Sequence, residues 1–92
     1  MVKYLMTEFE IVCVIQDLQG IITHVGLNNG QVYPIMTIID SMPHHSYCTY
    51  GNWQKAVVFR KRHPTSGRWF LTTNPDDTRE NNLDFLPKCP IR

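Results

Sequence analysis

Phe70-Leu71-Thr72-Thr73-Asn74-Pro75-Asp76-Asp77-Thr78-Arg79-Glu80-Asn81-Asn82-Leu83-Asp84-Phe85-Leu86-Pro87 decides how this chain folds, because it sets a strand, a polar turn and a short apolar lock in fixed order. Phe70 to Thr73 has the aromatic and β-branched character of a half-buried strand. Asn74, Asp76, Asp77, Asn81 and Asn82 carry short oxygen-bearing side chains that accept backbone N–H bonds, so the segment reads as an ordered turn. Asn82 is the residue expected to be buried and structural. Leu83, Phe85 and Leu86 can then pack down on a sheet, and the whole predicts an ordered C-terminal clasp.

A hairpin feeds this clasp. In Pro64-Thr65-Ser66-Gly67, Pro presets φ early and Gly can take the left-handed position late, so the flanking strands, Lys55 to Arg62 and Arg68 to Thr73, run antiparallel. Pairing His63 with Arg68 sets Arg62 opposite Trp69 and Arg60 opposite Leu71 on one side. Lys61 then faces Phe70, and Phe59 faces Thr72, on the other. Arg60 and Arg62 would project together, roughly 7 Å apart along the strand, beside an indole.

Further out, Phe9, Ile11, Cys13 and Ile15 alternate with Glu10, Val12, Val14 and Gln16, a period of two that predicts a first strand. Asp17-Leu18-Gln19-Gly20 turns the chain into a second strand, Ile21 to Leu27, which Asn28-Asn29-Gly30 ends. Pro34 suits the first turn of a helix, and Ile35, Ile38, Ile39 and Met42 follow at helical spacing until Pro43. An apolar strand is the rival reading of Val32 to Met42, because Ile and Thr are mediocre helix formers and Tyr33 is a poor N-cap. After His44-His45-Ser46, Tyr47 to Tyr50 reads as a short strand. The order ββαβββ predicts one α+β domain over residues 1–92, a small antiparallel sheet of about five strands with one short helix.

Phe70, Leu71 and Thr73, then Pro75-Asp76, Asn82-Leu83 and Leu86-Pro87, resemble the closing signature of a family of small bacterial, archaeal and phage proteins known only as a domain of unknown function (DUF3892). Val12 to Asp17, Gly20 and Ile22 through Val25-Gly26 resemble the same family's opening hairpin. Val32 to Met42 is more apolar than the family's helix, and Phe70 and Thr72 stand where it has a tyrosine and a basic residue. The resemblance implies a fold and no activity.

At 92 residues the chain buries only roughly 60% of its extended surface, so its stability is expected to be modest. Hydrophobic residues at 42% and charged residues at 18% disfavour wholesale disorder, and a net charge of +1 argues against a bulk polyanion binder. The charge is uneven, however. No acidic residue lies between Asp40 and Asp76, while Lys55, Arg60, Lys61, Arg62 and Arg68 all do. Cys13, Cys48 and Cys89 form no C-x-x-C pair and are odd in number, so neither a disulfide framework nor a zinc knuckle is expected. That pattern suggests a reducing compartment. With no signal-like leader and no apolar run of membrane length, a cytoplasmic protein without membrane contact is expected.

Three constellations could carry chemistry. Asp76, Asp77, Asn81, Asn82 and Asp84 supply oxygen ligands, but without the glycine and closing glutamate of a calcium loop they read as turn residues. His44, His45 and Cys48 could contribute to a zinc site or a Cys-His nucleophile, yet neither a fourth ligand nor an oxyanion motif accompanies them. No phosphate-binding glycine loop occurs. No metal, no cofactor and no catalytic residue is therefore expected, a metal-dependent enzyme being the least favoured reading.

The basic hairpin is the remaining candidate. Lys55, Arg60, Lys61, Arg62 and Arg68, with Trp69, Tyr50 and Trp53, form a surface suited to phosphates and stacked bases. The competing account is that Arg62 merely lies over Trp69 while the lysines keep the strand edge from aggregating. The expectation is a non-catalytic binding or regulatory module for a nucleic acid or nucleoprotein complex, for example a phage-type inhibitor of a host machine. The alternative is a protein-interaction module or homodimer that uses a sheet edge or the apolar segment 32–42.

Overall fold

A computed structural model describes residues 7–50, 54–73 and 82–90. Its elements are β1 (Thr7–Gln16), β2 (Ile22–Leu27), β3 (Val32–Pro34), α1 (Ile35–Ser41), β4 (His45–Thr49), β5 (Ala56–Val57), β6 (Phe59–Arg62), β7 (Trp69–Thr72) and a 3₁₀ turn (Asn82–Phe85). One sheet has the order β3-β2-β1-β4-β5, and β6-β7 is a separate hairpin. The fold is the α+β class read from the sequence, with the same order of elements.

β1 organises the sheet because its two halves pair with different strands. Ile11 to Gln16 runs antiparallel to β2, with a register shift between Ile11 and Cys13. Thr7 to Glu10 runs parallel to β4. Parallel neighbours need a crossover, and α1 lies on the connection between them. At Val14 the strand is joined by residues 87–89: Val14 N–H donates to Pro87 O at 3.0 Å and Cys89 N–H donates to Val14 O at 3.0 Å. Between these pairings the Thr49 hydroxyl, fully buried, donates to Ile11 O at 3.0 Å. β4, a side chain and the C-terminal segment thus satisfy the backbone of β1 in turn.

α1 begins after Pro34, whose φ of −60° and ψ of 147° make it the N-cap rather than a residue of the first turn. Ile38 and Ile39 point into the core, while Met36 remains exposed. Ile11, Val14, Val25 and Leu27 of the sheet meet Ile38, Ile39, Tyr47, Val58, Leu71 and Leu83 in one cluster. The helix therefore fills the space between the larger sheet and the hairpin.

The expected strand from Lys55 to Arg62 is divided. Ala56 and Val57 pair with β4, Val58 is buried and donates its N–H to Tyr47 O at 2.9 Å, and Phe59 onward pairs with β7. Burial of Val58 is the pivot at which the chain leaves one sheet for the other. Of the two readings of Val32 to Met42, strand holds for Val32–Pro34, short and at a sheet edge, and helix for Ile35–Ser41.

Two expectations are corrected. Cys13 and Cys89 form a disulfide, with Cα atoms 4.9 Å apart, so the odd cysteine count did not exclude a bridge: Cys48 is the free, buried third. The ground for a reducing compartment falls with it. In the clasp, Leu83 is fully buried and Leu86 packs against the core, but Phe85 is 67% exposed because a 3₁₀ turn cannot direct both Leu83 and Phe85 inward. Asn82 is half-buried, and its N–H donates to Thr73 Oγ1 at 2.9 Å. Asn74, Asp76, Asp77 and Asn81 lie outside the described residues. Among the described residues no helix is long and apolar enough to cross a membrane.

Candidate functional site

The register of the hairpin is Phe59 with Thr72, Arg60 with Leu71, Lys61 with Phe70 and Arg62 with Trp69. It is the register that the Pro64 to Gly67 turn predicts. His63 N–H donates to Arg68 O at 2.8 Å and Gly67 N–H to His63 O at 2.9 Å, and Gly67 takes a φ of 71° that a side chain would resist. Turn chemistry therefore fixes which side chains share a face.

Arg60 and Arg62 lie over the same indole, with guanidinium carbons 5.7 and 5.8 Å from the Trp69 ring centre. Each is also tied to the main chain. Arg60 Nη1 donates to Ile39 O at 3.2 Å, in the last turn of α1, where the helix dipole favours a cation. Arg62 Nε donates to Gly67 O at 3.0 Å. A guanidinium has five N–H donors, so among the described residues most of each fork is left for an external acceptor. Trp69 is half-buried against the core, and its ring is already engaged by these cations. The surface thus offers fixed positive charge more readily than a bare ring for stacking.

The other predicted residues are dispersed. Lys61 is on the opposite face of β6 by strand alternation. Arg68 stands at the turn end of the hairpin and lines a separate cavity. Lys55 stands just before β5, where its Nζ meets Oε1 of Glu8 on β1 at 2.8 Å, and that bond raises the lysine pKa. Tyr50, just past β4, is 47% exposed, and Trp53 lies outside the described residues. The structure brings together Arg60, Arg62 and Trp69 and separates them from Lys55 and Arg68.

His45 and Cys48 are both on β4, three positions apart and so on opposite faces. Among the described residues no three His, Cys, Asp or Glu side chains converge as a metal site. Burial, and secondarily Glu8, pushes the Cys48 thiol pKa up, which opposes the thiolate a nucleophile requires. Ile39 O, the acceptor that anchors Arg60, is a site component that residue types alone could not reveal.

The family described as "Protein of unknown function (DUF3892)" matches residues 10–87, from the first strand through the clasp, and the chain belongs to that family. No curated protein and no solved structure matches it.

Proposed function

We propose that this chain is a non-catalytic binding or regulatory module that contacts a nucleic acid or a nucleoprotein complex through β6–β7. The observation that carries this reading is the pair of guanidinium groups held over Trp69. Their anchors on Ile39 O and Gly67 O reduce the ordering entropy that a flexible arginine loses on meeting a phosphate. Phosphate contact, rather than base stacking, is the role this face serves, and inhibition of a host machine is one use of such a module. The site of action is cytoplasmic. There the Cys13–Cys89 bond would depend on its burial, with only 9% and 3% of the two residues exposed, for protection from cellular thiols.

A salt titration with a labelled single-stranded oligonucleotide tests the reading. Log affinity should fall linearly with log salt, by about 0.7 per phosphate neutralised. Arg60→Ala/Arg62→Ala should lower the affinity and flatten the slope by about 1.4, two phosphates' worth, with an unchanged circular dichroism spectrum. Equal binding by the double variant would remove the hairpin as the site.

A protein-interaction module or homodimer is the second reading, favoured by the exposed apolar side chains Val32 of edge strand β3 and Met36 of α1, 41% and 46% accessible. Light scattering that stays monomeric at high concentration would count against the homodimer.

A further inference from the structure

A second concave site lies at the turn end of the hairpin. A cavity of about 560 Å³ opens between the β1–β2 turn, the start of β7 and the 3₁₀ turn. That volume falls within the roughly 300–1,000 Å³ of small-molecule sites. Neither Arg60, Arg62 nor Trp69 lines it, so it stands apart from the face proposed for phosphate. Ile21, Ile22, Phe70 and Leu71 form an apolar floor, with Leu71 itself buried.

The polar lining is divided by charge. From the hairpin come Arg68, which can only donate, the uncharged Ser66, and His63. His63 Nδ1 accepts long N–H bonds from Thr65 at 3.3 Å and Ser66 at 3.4 Å, so the ring proton resides on Nε2, a further donor. From the 3₁₀ turn comes Asp84, an acceptor. Arg68 and Asp84 line one cavity without forming an ion pair with each other. Two opposite charges held apart over an apolar floor complement a small zwitterion with an apolar body. A simple carboxylate would leave Asp84 unmatched, and a simple amine would leave Arg68 unmatched.

We propose that this cavity binds a free α-amino acid with a large apolar side chain. The carboxylate meets Arg68 and the His63 Nε2–H, the ammonium meets Asp84, and the side chain rests on Ile21, Ile22 and Phe70. Both charged walls are solvent-exposed, so each polar contact is weak and the dissociation constant is expected to be on the order of 1 mM.

Nuclear magnetic resonance of the isotope-labelled full chain tests the assignment, with L-phenylalanine and L-leucine as ligands. Phenylacetate, which lacks the ammonium, and phenethylamine, which lacks the carboxylate, are the controls. Saturable shifts should centre on the Ile21, Ile22, Phe70 and Leu71 amides, and each control should bind about tenfold more weakly than L-phenylalanine. In Arg68→Gln, L-phenylalanine should bind no better than phenethylamine; in Asp84→Asn, no better than phenylacetate. Both positions are exposed, so the variant spectra should otherwise match the parent. No saturation by about 10 mM would overturn the proposal. So would equal binding of all the compounds, which marks a purely apolar cleft, or parental affinity for L-phenylalanine in both variants.

Discussion

Gly26 lies against the Cys13–Cys89 disulfide: a methyl group on its α-carbon would overlap the Cys13 sulfur and come within 2.9 Å of the Cys89 sulfur. Gly26 is also the β2 partner of Cys13. The missing side chain of one strand is the room in which the neighbouring strand and the C-terminal segment are joined.

Gly26→Ala is therefore expected to prevent the bridge by occupying its volume. The bond spans a sequence separation of 76 residues, and chain-entropy reasoning assigns about 4.5 kcal/mol to closing a loop of that length. Thiol titration of the unfolded variant should find all three cysteines reduced, where the parent exposes only Cys48, and the melting temperature should drop. A single titratable thiol with a parental melt would refute the crowding argument.

Leu83→Ala should cost about 2 to 4 kcal/mol of stability, because Leu83 is fully buried and its removal leaves a cavity under the clasp. Phe85→Ala, two residues on and largely exposed, should cost less than about 0.5 kcal/mol. Denaturant melts of the pair distinguish the anchor from its neighbour, and similar losses in both would show the 3₁₀ turn to be oriented differently.

Trp69→Leu keeps an apolar side chain beneath the hairpin but removes the ring face that holds both guanidinium groups. The expected loss is about 1 to 2 kcal/mol, from two partly exposed cation–π contacts of about 0.5 to 1 kcal/mol each. Arg60→Ala in the Trp69→Leu background should then destabilise less than it does in the parent. Additive losses in a double-mutant cycle would show that arginine and indole are not coupled.

Cys48 gives a pH dependence. Burial first, and then Glu8, raises its thiol pKa in the folded protein. The folded state thus retains a proton that the unfolded chain loses, so this contribution is complete below the ordinary thiol pKa and fades as pH rises through the raised folded value. Chemical denaturation from pH 7 to 10 should show a decline that Cys48→Ala lacks. A parallel decline in both proteins would assign the effect to other groups.

The sequence carried the hairpin register because it depends on local quantities: the four turn residues and strict alternation beyond them. The clasp was legible in Leu83, but Phe85 was not, because the turn residues do not reveal a 3₁₀ turn, which sends side chains two positions apart to different sides. The Cys13–Cys89 bridge was hidden because it depends on residues 87–89 lying beside Val14, a contact that no spacing encodes. The pairing of Arg60 and Arg62 beside Trp69 was local and visible. The separation of Lys55 from that face was not, because it required the chain to change sheets at the buried Val58.

The central position of β1 also governs the order in which the molecule can assemble. A strand made early must wait for residues 45–48 on one part of its edge and for residues 87–89 on another, while β2 alone is available at once. During synthesis the β1–β2 hairpin can form first, with the remaining edge of β1 unpaired until residues 87–89 have emerged. Such distant pairing makes maturation slow relative to a helical protein of this size. For that interval the half-built sheet exposes a template for unwanted association, which the arrival of Pro87 to Cys89 finally closes.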